Sequence, residues 1–302
     1  MTQRHTAPAI AAVGMFDGVH AGHRYLLDGL RREGLRRGLE PLALTFSNHP
    51  LEVVRPQAAP RLLTSPGEKV ELIRALGIVR VECIPFDEAL RLTPAGDFLD
   101  MLRRRYGVEA LLMGFNNRFG HDAPRDFNRY RALGAARGVE IIAADECRLE
   151  RAGAPAGVVP SSTAIRRTLA EGRLAEAEAM LGRRYRVTGE VVRGKQLGRT
   201  IGFPTANVDV PQWRQLPAPG VYAAMCGDLP AMVNIGRRPT VDPAGAPLNV
   251  EAHIIGLPAD ADLYGRELAL DFVEYLRGER RFASVEELAA QLREDRENVM
   301  KG

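Results

Sequence analysis

The sequence has few cysteines and no long apolar run, and each shortage argues against a class of protein. Its three cysteines, Cys83, Cys147 and Cys226, are far apart, odd in number and outside any C-x-x-C pair, which disfavours a disulfide framework or a structural zinc site. No segment approaches the ~20 apolar residues that a membrane helix needs. The short polar N-terminus does not have the pattern of a signal peptide. We therefore expect a cytoplasmic protein with no membrane partner.

Strong charge of one sign is also lacking. The net charge of the 302 residues is +3, with a pI near 8.9, which is too weak to indicate a nucleic-acid partner but suits small polyanionic substrates such as nucleotides. Apolar residues make up 45% and charged residues 26%, as in ordinary globular proteins. The length predicts about two domains. The sequence contains no internal repeat, and nothing in it determines the oligomeric state.

The first half of the chain alternates strand-like and helix-like segments. The predicted strands are 9–16, 41–46, 79–85, 110–114 and 140–144, and the predicted helices are 23–38, 66–76, 94–106 and 126–138. In the first helix Leu26, Leu27, Leu30 and Leu35 have helical spacing and are expected to form its apolar face. This alternation predicts a Rossmann-like, doubly wound parallel sheet. Ligands of such sheets bind beyond the C-terminal ends of the strands.

The alternation of strand-like and helix-like segments ends near residue 182. The later segments are short, β-rich and separated by Gly and Pro, and they cover 185–192, 220–225, 231–235, 249–255 and 267–276. They predict a small antiparallel barrel. Ser284 and Glu287 form a capping-box pattern that opens an amphipathic helix over 284–300. We predict two domains, 1–182 and 183–302, with α/β architecture in the first and an all-β barrel with a terminal helix in the second.

The turn after the first predicted strand carries the first candidate site. It contains the pattern H-x-G-H at His20, Gly22 and His23, where the following helix begins. Helix N-termini bind phosphate through free N–H groups, and two histidines three residues apart face the same side. Two exposed histidines without a ligand, or part of a metal site, are the alternatives. Zinc is disfavoured because two histidines with no Cys nearby make a poor zinc site.

Three other loops reach the same predicted sheet edge. His49 follows the second strand, a polar turn over 114–120 follows the fourth, and Ser162, Thr163 and Arg166 open a late helix. The hydroxyls of this last group could simply cap the helix. Beside the H-x-G-H turn, however, a phosphate role is favoured, since an arginine offers bidentate contacts to phosphate.

Taken together, H-x-G-H after a first strand and S-S-T-x-I-R before a late helix resemble the FMN adenylyltransferase module of prokaryotic bifunctional riboflavin kinase/FAD synthetases, within the nucleotidylyltransferase superfamily. The resemblance implies that the histidines and glycine of H-x-G-H handle ATP phosphates. It also implies binding roles for further residues, namely Asn116, Ser162, Thr163 and Arg166. This chain departs from the family pattern at Asn48, where a proline is typical, and at Asn117, where phenylalanine is usual.

The predicted barrel carries the second candidate site, a glycine-rich segment over 194–207. Its glycines expose backbone N–H groups and Lys195 adds positive charge, although the spacing is not that of a Walker A loop. Thr205 and Asn207 are two residues apart, so both can face one side of an extended segment. Their oxygens are suitable hard ligands for Mg²⁺ beside nucleotide phosphates. A glycine-rich hairpin without a ligand is the alternative.

One carboxylate lies in a later strand-like run. Glu251 alternates with Val250, Ala252 and Ile254, which are expected on the opposite face. A carboxylate in such a position is commonly only solvated. If it faces the glycine-rich segment, it could accept the proton of an alcohol that attacks the γ-phosphate of ATP.

The pattern G-x-x-x-G-R-x-x-G-F-P-T-A-N, which begins at Gly194, resembles the flavokinase (riboflavin kinase) module. The resemblance implies that Thr205 and Asn207 bind Mg-ATP and that Glu251 is the base that activates the terminal ribityl hydroxyl of riboflavin. It further implies that Arg277 lies close to the flavin. The two resemblances cover nearly the whole chain in the order of the family.

The implied function is two ATP-dependent reactions that require Mg²⁺. The first phosphorylates riboflavin to FMN, and the second transfers AMP onto FMN to give FAD. A chain in which only the kinase is fully active is a second hypothesis, suggested by Asn48 and Asn117. A nucleotide-sensing or RNA-binding module is a third, because class I aminoacyl-tRNA synthetases share an H-x-G-H-like signature. Their lysine-rich K-M-S-K-S-type loop is missing here, and the basic charge is diffuse, so no nucleic-acid partner is expected.

Overall fold

The computed structural model describes residues 7–114, 117–123, 126–147, 157, 159–194, 198, 201–237, 248–258 and 261–301. Spatial contacts divide the chain into two units. The first comprises Met1–Glu150 and Ala156–Ser162, and the second Arg151–Pro155 and Thr163–Gly302. The domain limits 1–182 and 183–302 stay a prediction from sequence.

The first unit is built on a five-stranded parallel sheet. Its strands are β1 (Ala9–Val13), β2 (Glu40–Phe46), β3 (Arg80–Ile84), β4 (Val108–Met113) and β5 (Glu140–Ala143). Their order is β3-β2-β1-β4-β5, and each neighbouring pair is parallel. The predicted doubly wound sheet is therefore confirmed. In this order the chain switches direction between β1 and β4, which is where such sheets bind ligands.

Both faces of the sheet are covered, which explains why β1 is a continuous apolar run rather than an alternating one. Ala9, Ala11 and Val13 belong to one buried cluster with residues of the helix Ala95–Tyr106, whereas Ile10 and Ala12 belong to another that includes the buried side of the helix Ala21–Arg37. The carboxyl end of β1 is thus held rigidly, and the turn that follows it is well positioned.

The helices of this unit are α1 (Ala21–Arg37), α2 (Pro50–Val54), α3 (Pro66–Arg74), α4 (Glu88–Leu92), α5 (Ala95–Tyr106) and α6 (Phe127–Ala135). Ser65 caps α3 in a capping box with Glu68, and Pro66 occupies the first turn, as the sequence indicates. The expected apolar face of α1 is wrong at one position, because Leu35 is 84% exposed while Leu27 and Leu30 are fully buried. Helices α2 and α4 have five residues each, too few to show a periodic pattern.

The second unit contains α8 (Leu174–Leu181), a closed barrel and the helix α7 (Ser162–Ala170) except for its first residue, Ser162, which belongs to the first unit. The barrel strands are β6 (Tyr185–Val192), β7 (Ala206–Asp209), β8 (Gly220–Cys226), β9 (Leu229–Arg237), β10 (Leu248–Ile254) and β11 (Glu267–Arg277). They close in the order β10-β7-β6-β11-β8-β9 with antiparallel pairing throughout. The predicted antiparallel barrel is confirmed, and β7 is the strand that the sequence does not predict.

The terminal helix α9 (Val285–Lys301) packs on the barrel. The hydroxyl of Ser284 accepts a hydrogen bond from the Glu287 amide at 3.2 Å, and the Glu287 carboxylate accepts one from the Ala283 amide at 2.8 Å. Leu292 and the buried Val299 join a cluster of barrel side chains. Within the described ranges, no helix has the length and apolarity needed to span a membrane.

Candidate functional site

The turn that leaves β1 has an unusual backbone. Phe16 and Val19 have φ angles of 49° and 42° and are the two non-glycine residues with positive φ in the described part of the chain. A β-branched residue such as Val19 strongly disfavours this region. Both side chains are buried, at 1% and 3% exposure, so packing holds them there. Strain of this kind concentrates at functional sites.

Asp17 anchors this turn. Its side chain is 2% exposed, and its Oδ1 accepts hydrogen bonds from the amides of Leu63 (2.8 Å) and Thr64 (3.1 Å). The Gly18 amide donates to the Thr64 hydroxyl at 3.0 Å. The turn is therefore tied to the loop before α3. Sequence reasoning missed Asp17, although an acidic residue inside a buried apolar turn is itself a signal.

The two histidines of H-x-G-H are brought together at the start of α1. His20 is the N-cap, and its Nδ1 accepts a hydrogen bond from the His23 amide at 3.4 Å. The two imidazole rings stack with centroids 3.6 Å apart and planes inclined by 19°. Phe16 packs edge-on against His23 at 5.3 Å. The arrangement fixes both rings at the positive end of the α1 dipole.

Burial and two neighbouring basic residues favour the neutral form of His23. Burial lowers its pKa well below the ordinary value, and the neighbouring His20 and Lys69 lower the pKa further. The Nδ1 atom of His23 is buried and has no hydrogen-bond partner in the described part of the chain. A neutral imidazole with a free buried nitrogen has capacity for a ligand atom, and a bound polyanion would favour its protonated form.

Lys69 is a buried cation at the ends of the first two strands, and sequence reasoning missed it. Its side chain is 1% exposed, and its Nζ donates to the carbonyls of Met15 at 3.0 Å and Phe46 at 2.6 Å. Burial lowers the pKa of this ammonium. The charge of Lys69 adds to the positive potential at the edge where an anionic ligand would approach. A lysine within the apolar stripe of α3 was the available signal.

The neighbouring loops are held by side-chain amides. Asn117, beyond β4, donates to the carbonyl of Val13 at the end of β1, which joins the two strands at the switch point. Asn48 forms a reciprocal pair with the backbone of Phe86, at 2.9 Å and 2.8 Å. His49 caps α2 through its Nδ1. The two departures from the family pattern are therefore residues that brace the sheet edge.

Ser162 joins the same turn. Its hydroxyl donates to the Asp17 carbonyl at 2.8 Å, so the structure brings Ser162 together with the H-x-G-H segment. A Cβ atom at Gly22 would lie 3.2 Å from Cε1 of His20, so glycine suits the close approach there. Thr163 and Arg166 lie in the first turns of α7 and are counted with the second unit.

The barrel brings a second set of polar residues into one row. Glu251 on β10 pairs with Asn207 on β7 and with Asn234 on β9, so the three side chains are cross-strand neighbours on one face. Asn207 is 7% exposed. The predicted opposite face is confirmed, because Val250, Ala252 and Ile254 are buried.

The carboxylate of Glu251 has a direct partner that sequence reasoning missed. Asn249, two residues earlier on the same strand face, donates from Nδ2 to Oε1 of Glu251 at 2.7 Å. Gly194 packs on Asn207, since a Cβ atom at this glycine would overlap the side-chain amide. The glycine-rich segment and the carboxylate strand therefore meet at Asn207.

The segment that carries Thr205 is held in place by His253. His253 is 9% exposed, and its Nδ1 bonds the carbonyl of Pro204 at 2.8 Å, where it must be the donor because a carbonyl only accepts. Phe203 packs edge-on against the same ring at 5.3 Å. Asn207 lies on β7, and Thr205 directly precedes this strand. The side chain of each carries an oxygen that could bind a hard cation.

Arg277, which the resemblance places close to the flavin, is paired with a carboxylate of the protein. Its guanidinium forms an ion pair with Asp295 of α9, with the shortest N–O distance at 2.6 Å, and Asp295 is 2% exposed. In this structure Arg277 therefore ties the terminal helix to the barrel. Asn116 and Lys195 lie outside the described residues.

Two family models match the chain. One, described as "FAD synthetase", matches residues 2–154, and one described as "Riboflavin kinase" matches residues 181–301. The two matches follow each other along the chain and correspond to the sheet unit and the barrel unit, respectively.

Relatives match over nearly the full length. The chain is 39% identical over 303 residues to the "Bifunctional riboflavin kinase/FMN adenylyltransferase" of Escherichia coli K12, covering 98% of this chain and 93% of the relative. The protein of the same description from Pseudomonas fluorescens is 35% identical, with 95% and 90% covered. A crystal structure described as a macrolide-efflux protein from Streptococcus pneumoniae has a TM-score of 0.85 at 25% identity, with 99% of this chain and 95% of that chain covered.

Proposed function

Because the chain belongs to the bifunctional riboflavin kinase/FMN adenylyltransferase family, we propose that its barrel module phosphorylates riboflavin to FMN and its sheet module converts FMN to FAD, each with ATP. The observation that carries the proposal is that one chain holds two separate constellations. A stacked histidine pair stands at the strand-switch point of the sheet, and a carboxylate stands between two asparagines on the barrel.

In the adenylyl transfer, a phosphate oxygen of FMN attacks the α-phosphorus of ATP. The new P–O bond forms FAD, and the bond from the α-phosphorus to the bridging oxygen breaks to release pyrophosphate. His20 accepts a hydrogen bond at Nδ1, so its proton lies on Nε2, which can donate to a phosphoryl oxygen. Positioning and charge stabilisation of this kind account for most of such catalysis.

In the phosphoryl transfer, Glu251 accepts the proton of the terminal ribityl hydroxyl as that oxygen attacks the γ-phosphorus of ATP. The P–O bond to ADP breaks and FMN is formed. The glycine-rich segment that meets Asn207 would hold the phosphates through its backbone N–H groups. Glu251 lies beside Asn207 in register, so the base and the phosphate segment face the same reaction.

We assign Mg²⁺ to the hydroxyl of Thr205 and the side-chain oxygen of Asn207. When bound, the ion neutralises charge on the nucleotide phosphates. Two protein oxygens suit an ion that takes its other ligands from phosphate and water, and the described residues contain no group of three His, Cys, Asp or Glu that could hold a metal alone. EDTA is expected to stop FMN formation and added Mg²⁺ to restore it. Restoration by Ca²⁺ but not Mg²⁺ would contradict the assignment.

The remaining assignments rest on the matching motifs. We propose that Asn116, Ser162, Thr163 and Arg166 bind the nucleotide in the first module and that Gly194 and Lys195 do so in the second. Arg277 would act near the flavin by fixing α9, since its guanidinium is paired with Asp295.

We also propose that the modules divide near residue 182, where the riboflavin kinase match begins at 181. The three cysteines are free thiols, which supports action in the cytoplasm, where ATP is supplied.

The test is chromatography of the flavins formed from riboflavin and Mg-ATP. His23→Ala is expected to stop at FMN, whereas Glu251→Ala is expected to form no FMN yet to convert supplied FMN to FAD. Matched controls are His121→Ala, at an exposed loop histidine, and Glu274→Ala, at an exposed glutamate of β11. Unchanged FMN production by Glu251→Ala would overturn the base assignment.

A second candidate is a chain in which the kinase alone is fully active. Asn48 and Asn117 favoured it from sequence, but both side chains brace the sheet edge by hydrogen bonds to backbone. FAD formation from FMN by the unaltered chain separates the two: absence of FAD with normal FMN formation would favour the kinase alone.

A further inference from the structure

We propose that Asn249 is a positioning residue for riboflavin phosphorylation, which holds the Glu251 carboxylate in the orientation that accepts the substrate proton. This inference rests on the proposed kinase function and on Glu251 as its base. It is carried by the hydrogen bond from Asn249 Nδ2 to Glu251 Oε1 at 2.7 Å, a length typical of charge-assisted bonds.

The strand geometry makes this contact local and rigid. Residues 249 and 251 lie on the same face of β10 because side chains alternate along a strand. Across the sheet, Asn249 faces Gly236 on β9, and the space beside that glycine is taken by the Glu279 carboxylate. Asn207 and Asn234 flank Glu251 in the other direction. Asn249 is therefore the neighbour placed to fix the carboxylate along the strand.

The chemistry explains why the carboxylate needs a partner. The terminal torsion of a glutamate is broad and roughly two-fold, so an unheld carboxylate turns freely about it. A hydrogen bond at Oε1 fixes the plane and leaves Oε2 to receive the proton of the attacking hydroxyl. The amide nitrogen is the only end of the Asn249 side chain that can donate to a carboxylate, so the direction of this bond is determined.

Removal of the donor should reduce turnover rather than binding. Asn249→Ala deletes the amide, and Asn249→Asp keeps the shape but replaces the donor with an acceptor. Each is expected to lower kcat for FMN formation by about 10- to 100-fold, the size of a lost hydrogen bond to a charged group. KM for riboflavin and for ATP should stay within about 3-fold, since loss of transition-state positioning leaves ground-state binding.

A double-mutant cycle with Glu251→Gln supplies the readout that a merely structural role would not change. If Asn249 acts through Glu251, then Asn249→Ala should cost little further activity in the Glu251→Gln background. Folding of the barrel is checked by the urea transition of Trp213, which lies in the second unit and should be unaltered in every variant. FMN-to-FAD conversion by the sheet module should be unaltered too. Asn298→Ala, at an exposed asparagine of α9, is the matched control and should behave as wild type.

The outcomes separate the inference from the proposed function. Impaired Glu251→Gln together with fully active Asn249→Ala and Asn249→Asp would overturn the positioning role and leave the base assignment intact. Full activity of Glu251→Gln would overturn both. Additive losses in the cycle would show that Asn249 acts independently of Glu251 and would also overturn the inference.

Discussion

Replacement of Asp17 is expected to damage the sheet module while the barrel module stays intact. Asp17 is buried, its Oδ1 accepts the amides of Leu63 and Thr64, and its carbonyl accepts the Ser162 hydroxyl. In Asp17→Ala, the two amides are left inside the protein without their acceptor. The turn that presents the histidine pair would then lose these two ties to the loop before α3 and keep the bond from the Gly18 amide to the Thr64 hydroxyl.

The magnitude follows from these contacts. A buried donor left without a partner costs about 1–3 kcal/mol, so the two amides together cost about 2–6 kcal/mol. That is a large share of the 5–15 kcal/mol by which domains are typically stable. Asp17→Asn can keep the one oxygen that accepts both amides and loses only its charge, so a smaller loss than in Asp17→Ala is expected.

The single tryptophan makes the assay selective. Trp213 lies in the second unit, so its fluorescence during urea unfolding reports the barrel, while far-UV circular dichroism reports the whole chain. Asp17→Ala should shift part of the circular dichroism transition to lower urea and leave the Trp213 transition in place. FAD formation should fall and FMN formation should persist. Equal stability of Asp17→Ala and wild type by circular dichroism would refute this reasoning.

Three further predictions concern His23, the Arg277–Asp295 pair and Gly194. Because the pKa of His23 is lowered in the folded state, its neutral form contributes stability that is present above pH ~6.5 and is lost as pH falls, by up to about 1.4 kcal/mol per pH unit. His23→Gln should therefore flatten the pH dependence of the free energy of unfolding below pH ~6.5. An unchanged slope would contradict this prediction. Arg277→Met leaves the carboxylate of Asp295 buried without its cation and should destabilise the barrel by about 3–5 kcal/mol. The Trp213 transition should then occur at lower urea. An unshifted transition would show that the ion pair adds nothing to the stability of the barrel. Gly194→Ala places a Cβ atom on the Asn207 amide and should reduce FMN formation without affecting FAD formation from FMN, so wild-type kinase activity would argue against this close packing.

Much of the architecture was predictable because the apolar patterns are strong. The continuous run of β1 indicates a strand covered on both faces, and the capping box at Ser65 and Glu68 locates the start of α3. The strand β7 was missed because Ala206–Asp209 has four residues and follows a glycine-rich segment, so no alternation is visible. Leu35 fits the spacing of α1 but lies outside the buried side, since a single spacing does not define the direction that faces the core.

The histidines and Glu251 were predictable as candidates, since their motifs are local in sequence. The residues that hold them were not. Lys69 is linked to Met15 and Phe46 only through tertiary contacts, and the partners of Asp17 are more than 40 residues away. Asn249 was missed too, although its spacing of two from Glu251 places both on one strand face and was an available signal.

The central claim is that one chain carries two independent flavin activities, and mixing two variants that each lack a different activity tests it most directly. His23→Ala supplied with riboflavin and Mg-ATP should accumulate FMN, and Glu251→Ala should leave riboflavin unchanged. A mixture of the two should form FAD, because FMN released by the first is used by the second. A mixture that forms FMN but no FAD, or either variant alone forming FAD from riboflavin, would contradict the account.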